Sequence, residues 1–296
     1  MSKEANTERL STILETLSDI TVTLVADFVA GAATYAGVPV AIRLAELGVT
    51  VFPVGVVGED EAGQQILHAL HEHRISTSGI NKLKNYATPS DASAELIHGE
   101  HPALMNLIEH ARKFAGASEA VFVCDYGVGA ASPRLLNFIK SNRCLQEKTL
   151  AARSRDRLTD FEQLTTAIAT EAEIERAIGL ELGGDPKKLA VAGKGVIEEM
   201  RLESLLMISK DKLLAYSGSR KPMAVVPPAA ASVEQIDVLG GIFVAALATG
   251  AEAVDAAQVA AHVTSFLLNR TAAGKRVRRE ELLASLALPK TAGRVR

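Results

Sequence analysis

The sequence has no tryptophan, and aromatic residues make up only 4% of its 296 residues. Proteins that hold single-stranded nucleic acids stack the bases on such side chains. The formal net charge of −3 adds no overall attraction to a phosphate backbone. We therefore expect no nucleic-acid partner.

Cysteines and long apolar runs are also scarce. Cys124 and Cys144 are too few to form a disulfide framework. No window reaches about 18 uninterrupted apolar residues, the length that a membrane-spanning helix requires. Residues 1–6 are polar and do not have the pattern of a secretory signal. The sequence predicts a cytoplasmic protein with no membrane partner.

Apolar residues make up 48% of the chain, enough for a large buried core. Residues 20–25, 50–54, 120–124 and 205–209 are rich in strand-forming residues and alternate with segments of helical periodicity. This alternation predicts an α/β protein with a mostly parallel central sheet and helices on both faces.

Three segments are expected along the chain. The apolar spacing within residues 1–19 predicts an amphipathic N-terminal helix. Residues 20–288 form the α/β domain, and residues 289–296 form a short basic tail.

The most informative stretch is 236–250, in which Asp237 and a glycine pair, Gly240 and Gly241, precede an apolar run. Adjacent glycines at a helix start let backbone amides approach an anion closely. Glycine pairs more often form only a tight turn before a helix. Both alternatives place the start of a buried helix at the pair.

Several motifs resemble those of the ribokinase/PfkB family of carbohydrate kinases, nearest its heptose-kinase branch. Residues 51–63 are similar to the family's N-terminal Val-Gly-x-Val-Gly-x-Asp-x-x-Gly signature. Residues 125–129, Asp-Tyr-Gly-Val-Gly, are close to a motif of the heptose-kinase branch, and residues 237–247 resemble the family's C-terminal signature. The resemblance implies a three-layer ribokinase-like fold with a small β lid over 81–101.

The chain departs from the family pattern where the family carries its chemistry. Ile242 lies near the position of the catalytic-base aspartate, in a loop that is shorter than the family's. Gly31 replaces the sugar-binding aspartate, and Pro39 replaces a sugar-binding asparagine. Lys210 and Leu213 replace the glycines of the nucleotide-binding turn. These active-site motifs are therefore degenerate.

The resemblance assigns roles to the residues that remain. Asp27 and Gly37 are the expected substrate contacts, although Asp27 fits equally well as a strand-end carboxylate. Glu173 keeps the family's glutamate that organises magnesium and phosphate, although a glutamate at a helix start is also ordinary. Gly240 and Gly241 would form the anion hole.

Two functional hypotheses follow from these motifs. In the first, the chain is a pseudokinase that binds a small sugar or nucleotide, or a partner subunit, and forms a homo-oligomer. In the second, it is an ATP-dependent sugar or sugar-phosphate kinase that uses ATP, Mg²⁺ and a displaced catalytic base. Asp237 or Asp125 would supply that base. The hypotheses differ in whether a carboxylate at the glycine pair faces an open cleft.

Overall fold

The structure is a computed structural model. It describes residues 3–30, 37–90, 102–129, 133–142, 145, 147–210, 212–218, 222–225, 233–272 and 279–287.

Nine described strands form one sheet in the order β3-β2-β1-β4-β5-β6-β7-β8-β9. Their bounds are β1 Thr21–Ala26, β2 Thr50–Gly58, β3 Gly79–Leu83, β4 Ala120–Asp125, β5 Thr149–Ser154, β6 Thr166–Thr170, β7 Ser204–Ile208, β8 Leu213–Ser217 and β9 Met223–Val225. The neighbours from β3 to β7 run parallel, whereas β8 is antiparallel to both β7 and β9. The predicted mostly parallel sheet is confirmed.

Helices lie in most of the crossover connections between parallel strands, whereas the connection from β5 to β6 contains only the short 3-10 helix Leu158–Asp160. Their bounds are α1 Lys3–Thr16, α2 Val38–Glu46, α3 Glu61–Glu72, α4 Pro102–Gly116, α5 Pro133–Ser141, α6 Glu171–Ile178, α7 Pro186–Met200, α8 Val233–Ala248, α9 Ala253–Ala272 and α10 Arg279–Ala287. Within these described segments, no helix combines the length and apolar character needed to cross a bilayer.

The sheet separates two hydrophobic cores, so the fold has three layers. Alternate residues of β1 point to opposite faces: Val22 and Leu24 belong to one core, whereas Val25 belongs to the other. The first core contains residues of α1, α2, α8 and α9. The second contains residues of α4, α5 and α7. Burial on both faces explains why the parallel strands are nearly continuous apolar runs.

The N-terminal helix is part of the first core. Leu10, Ile13 and Leu14 on its apolar stripe are buried in that core, and Arg9 pairs with Asp255 of α9 at 3.2 Å. The predicted basic tail, 289–296, lies outside the described residues.

The predicted small β lid over 81–101 stays a prediction. Residues 79–83 form β3, which pairs in parallel with β2 at the edge of the main sheet. The alternating polar residues here suit an edge strand with one solvated face, which local sequence does not distinguish from a lid strand. Residues 91–101 of the predicted lid lie outside the described residues.

The segment that follows β7 forms a hairpin. The amide of Ser209 donates to the carbonyl of Lys212 at 2.9 Å, and this turn connects β7 to the antiparallel β8. Sequence reasoning favoured a polar hairpin at this position, and the structure confirms it.

Candidate functional site

The order of the strands reverses between β1 and β4. The chain builds β2 and β3 outward on one side of β1, then continues with β4 to β7 on the other side. In open α/β sheets, ligands bind beyond the carboxyl ends of the strands at such a switch point. Asp27 follows β1 directly, and Asp125 is the last residue of β4. This edge is the candidate functional site.

Asp27 joins the ends of these two strands. Its Oδ2 accepts hydrogen bonds from the backbone amides of Tyr126, at 2.8 Å, and Val128, at 3.1 Å. The side chain is buried. These contacts are those of the strand-end carboxylate that the sequence allowed, and a contact with substrate stays a prediction.

Asp125 is held by side chains from the end of β5 and the loop that follows. Oδ1 accepts from Arg157 Nη2 at 2.7 Å, and Oδ2 accepts from Arg157 Nε at 3.1 Å. Ser154 Oγ donates to Oδ2 at 2.7 Å, and the Gly127 amide donates to Oδ1 at 2.8 Å. A bidentate arginine contact of this kind is strong and directional. Both carboxylate oxygens are therefore engaged within the protein.

A second ionic cluster links β5, α6 and α8. Arg153 Nη2 lies 3.2 Å from Glu173 Oε1, and Arg153 Nε lies 2.9 Å from Asp237 Oδ1. Arg153 is 3% exposed, Glu173 is 6% exposed and Asp237 is 2% exposed. Arg153 Nε and Asp237 Oδ1 are close but make no hydrogen bond. One guanidinium thus faces two buried carboxylates, and its contact with Asp237 is electrostatic.

Burial raises the pKa of Asp237 well above its ordinary value. The low-dielectric interior disfavours the charged carboxylate, and this cost exceeds the help from Arg153. A raised pKa by itself suits a general base. Within its described surroundings, however, Asp237 is enclosed and faces Arg153, and its catalytic role stays a prediction.

The prediction that the glycine pair opens a helix is wrong. The described part of α8 begins at Val233, so Gly240 and Gly241 lie about two turns inside it. Amides inside an α-helix donate to carbonyls four residues earlier. They are therefore not available to form the predicted anion hole.

The glycines instead permit close packing of α8. A Cβ at Gly241 would lie 2.7 Å from Val40 Cγ1 of α2, and one at Gly240 would lie 3.3 Å from Phe122 Cζ of β4. Ile242, near the expected position of the family's base, is completely buried in the first core. The stretch that resembles a catalytic loop is here the interior of a packed helix.

Gly37 has a backbone role at the start of α2. Its φ of 81° is in the region that favours glycine. A Cβ there would lie 2.8 Å from the Cβ of Ala26. Pro39 fits the first turn of the helix, as predicted. A substrate contact by Gly37 stays a prediction, and Gly31 lies outside the described residues.

Glu173 forms a capping box with Thr170. Its Oε2 accepts from the Thr170 amide at 2.7 Å, and its own amide donates to Thr170 Oγ1 at 3.2 Å. Its other oxygen faces Arg153. The described residues contain no group of three metal-ligating side chains. Both oxygens of Glu173 are thus engaged within the protein, and its predicted metal role stays a prediction.

Sequence reasoning did not single out the cations that hold these carboxylates. Arg153, Arg155 and Arg157 alternate at the end of an apolar strand, which is a weak signal for buried partners. The carboxylates that pair with Arg153 and Arg157 are distant in sequence, so their pairing depends on the sheet order.

Taken together, the layers and the sheet order define a ribokinase-like fold. The structure matches ribokinase from Arabidopsis thaliana, solved with ribose and ATP, with a TM-score of 0.68 and 14% identity over 91% of this chain and 99% of that chain. It also matches the tetrameric inhibited form of phosphofructokinase-2 from Escherichia coli, with a TM-score of 0.68, 14% identity and the same coverage of both chains. The predicted fold and the resemblance to ribokinase/PfkB kinases are confirmed.

Sequence comparison gives relatives that carry the name bifunctional protein HldE. The chain is 25% identical over 223 residues to the bifunctional protein HldE of Wolinella succinogenes, covering 70% of this chain and 46% of that protein. It is 25% identical over 234 residues to HldE of Magnetococcus marinus, covering 71% and 47% respectively. The chain thus spans about half the length of these curated relatives. No protein-family model matches it.

Proposed function

We propose that this chain is a carbohydrate-kinase-like protein that does not transfer phosphate and acts by binding a small ligand or a partner subunit. The observation that carries the proposal is that the candidate carboxylates all contact other groups of the protein. Asp27 binds backbone amides, Asp125 binds Arg157, and Asp237 and Glu173 share Arg153. Each is engaged within the protein.

Phosphoryl transfer needs a base to position the nucleophile, groups that stabilise the transferred charge, and usually Mg²⁺. Asp237 and Asp125, the two displaced-base candidates, are both buried against an arginine. Using Asp125 would take the carboxylate away from Arg157, and using Asp237 would leave Arg153 with Glu173 alone. Weakening such a buried charge pair is costly in a protein interior. The helical position of Gly240 and Gly241 further supports a loss of the family's charge stabilisation.

Nucleotide binding is also expected to be weak. The turn that follows β7 contains Lys210 and Lys212 rather than glycines. Side chains in such a turn keep the backbone amides away from a phosphate group. A sugar ligand, or a nucleotide bound in another way, remains compatible with the proposal.

The partner could be a second copy of the chain. The similar E. coli phosphofructokinase-2 is tetrameric in one of its structures, and we propose a homo-oligomer by this analogy. Sedimentation should give a multiple of 31.3 kDa, whereas a purely monomeric species would contradict this part.

A cytoplasmic location, suggested by the scarcity of cysteine, belongs to the same proposal.

The central test is a coupled ADP-release assay with a panel of sugars and sugar phosphates, in the presence of ATP and Mg²⁺. We expect no measurable turnover. Thermal shift with the same panel should identify a stabilising ligand, because a ligand stabilises the state that it binds. The two assays separate binding from catalysis.

The result that would overturn the proposal is turnover at ordinary kinase rates, about 1–100 s⁻¹. Asp237→Asn and Asp125→Asn then serve as matched variants, since each keeps the shape of the side chain and removes its charge. Loss of turnover in only one of them would identify the displaced base and establish the active-kinase alternative.

A further inference from the structure

One face of α7 is exposed to solvent from its first turn to its last. Val191, near the middle of this face, is 73% exposed, more than any other large apolar side chain in the described part of the chain. Residues spaced three or four apart share one side of a helix. The exposed residues with this spacing are Lys187, Lys188, Val191, Lys194, Gly195, Glu198 and Glu199.

The charges at the two ends of this face oppose the dipole of their own helix. Lys187 and Lys188 lie in the first turn of α7, and Glu198 and Glu199 lie in its last turn. A helix dipole favours anionic side chains at the N-terminus and cationic side chains at the C-terminus. The N-cap carboxylate of Asp185 offsets part of the charge of Lys188. The dipole of α7 nevertheless disfavours both the lysine pair and the glutamate pair.

Charge at each end of the face also lacks an ionic partner. Over the residues that the structure describes, Lys187 and Glu199 form no ion pair. Glu198 lies 3.7 Å from Lys194, but both side chains are more than half exposed. Exposed pairs of this kind are weak. The face therefore presents positive charge at one end and negative charge at the other.

The middle of the face contains a glycine that the chain itself does not require. Gly193, on the buried side of α7, is needed for packing, because an added Cβ would lie 2.3 Å from Tyr216 Cζ. An added Cβ at Gly195 would meet nothing within 4 Å. Glycine inside a helix is unfavourable relative to alanine. The space over Gly195 is open to a side chain from another molecule.

We propose that α7 pairs in antiparallel orientation with α7 of a second copy of this chain. The inference rests on the homo-oligomer of the proposed function and names its interface. Val191 and Gly195 lie symmetrically about Gly193 in the sequence, as do the lysine pair and the glutamate pair. A two-fold axis beside Gly193 places Val191 over Gly195 of the partner subunit, and the reverse contact follows by symmetry. The same axis brings each lysine pair to the glutamate pair of the other copy.

This pairing has an expected strength and salt dependence. One helix from each copy buries little surface, so the contact belongs with weak, transient interfaces. Salt screens exposed charges. We therefore expect association that rises with protein concentration and weakens as salt is added.

Sedimentation of the full chain at a series of protein concentrations tests the interface through charge reversal. One variant carries Lys187→Glu and Lys188→Glu, and the other carries Glu198→Lys and Glu199→Lys. Each variant places like charges across the two-fold axis, so its dissociation constant should be about tenfold or more above that of the wild type. Both sets of substitutions suit the dipole of α7, so folding should be retained, which a melting curve checks.

Mixing the two variants provides the most specific readout. In the mixed dimer every end of α7 faces the opposite charge, so an equimolar mixture should associate about tenfold or more tightly than either variant alone. Lys82→Glu combined with Lys84→Glu is the matched control, because it reverses two exposed lysines at and just after β3, outside α7. The control should associate as the wild type does.

The outcomes separate this interface from the proposed homo-oligomer. An oligomer that both α7 variants leave intact would overturn the interface and keep the homo-oligomer. A wild type that is monomeric at every concentration would overturn both. Equal weakening by the control, or a mixture that associates no better than its components, would overturn the pairing of α7.

Discussion

Asp237 and Glu173 share the single guanidinium of Arg153 in the interior, at the junction of β5, α6 and α8. A buried ion pair of this kind contributes little net stability, because desolvation offsets the Coulombic attraction. Burial has a clearer effect on protonation, because it raises the pKa of Asp237. This shift can be measured through the pH dependence of stability.

The substitution Asp237→Asn should reduce the change in the free energy of unfolding with pH. The pKa of Asp237 is higher in the folded state than in the unfolded chain, where an aspartate titrates near 3.9. The folded state therefore binds more protons, and stability falls as pH rises from about 4 through the raised pKa. Each unit of raised pKa corresponds to about 1.4 kcal/mol.

Urea unfolding at a series of pH values measures this effect in the wild type and the variant. The free energy of unfolding of the wild type should fall as the pH rises above about 4. It should fall less in the Asp237→Asn variant. Arg153 keeps Glu173 as a partner in the variant, so the fold is retained. Parallel pH curves for the two proteins would show that Asp237 does not titrate in this way.

At the scale of elements, α8 depends on two glycines to approach its neighbours. Gly241 faces Val40 of α2, and Gly240 faces Phe122 of β4. Glycine in a helix interior costs about 1 kcal/mol relative to alanine. Close packing on both sides of α8 offsets that cost.

Gly241→Ala should destabilise the protein by about 1–3 kcal/mol, because its Cβ overlaps a stiff β-branched side chain. Gly195→Ala is the matched control, since Gly195 lies in α7 and a Cβ there meets nothing within 4 Å. The control substitution should raise the free energy of unfolding by about 0.5–1 kcal/mol through helix propensity alone. Chemical denaturation measures both, and equal stabilisation of the two variants would contradict the packing role.

Local sequence pattern predicts the elements of this fold better than it predicts their ends. The strand-forming segments that became β1, β2, β4 and β7 were evident, because apolar, β-branched runs are a local signal. The interior position of Gly240 and Gly241 was not evident. It depends on Val40 and Phe122, which approach only in the folded chain.

The same reason limits prediction of the site. Asp27, Asp125, Glu173 and Asp237 could be named from motif frames, but their partners could not. Arg153 meets Asp237 because β5 lies beside α8 in the folded protein. The resemblance therefore indicated where the carboxylates lie, and the sheet order determined what neutralises them.

At the scale of the whole molecule, the first core extends from the sheet to the N-terminal helix. Leu14 of α1 is 2% exposed and belongs to the same core as β1 and α8. Arg279 of α10 donates to the Glu15 carbonyl at the end of α1. The helix at residues 3–16 thus contacts both α9 and α10.

Leu14→Ala should lower the free energy of unfolding by about 2–5 kcal/mol, as large-to-small core substitutions do. Leu180→Ala is the control, because Leu180 is 64% exposed and should change stability by no more than about 0.5 kcal/mol. Calorimetry should show one cooperative transition for both variants. A separate early transition in Leu14→Ala would mean that α1 unfolds independently of the core.

If the chain does not transfer phosphate, as proposed, the unbroken course of α8 limits how it could acquire that activity by mutation. Aspartate at position 242 would lie in the first core, where Ile242 is fully buried, and an unpaired carboxylate is strongly disfavoured there. A useful base would first require the helix to unwind ahead of Gly240, which removes the packing against Val40. Under that proposal, single substitutions toward a base at position 242 would pass through destabilised proteins, and catalysis would need a remodelled loop.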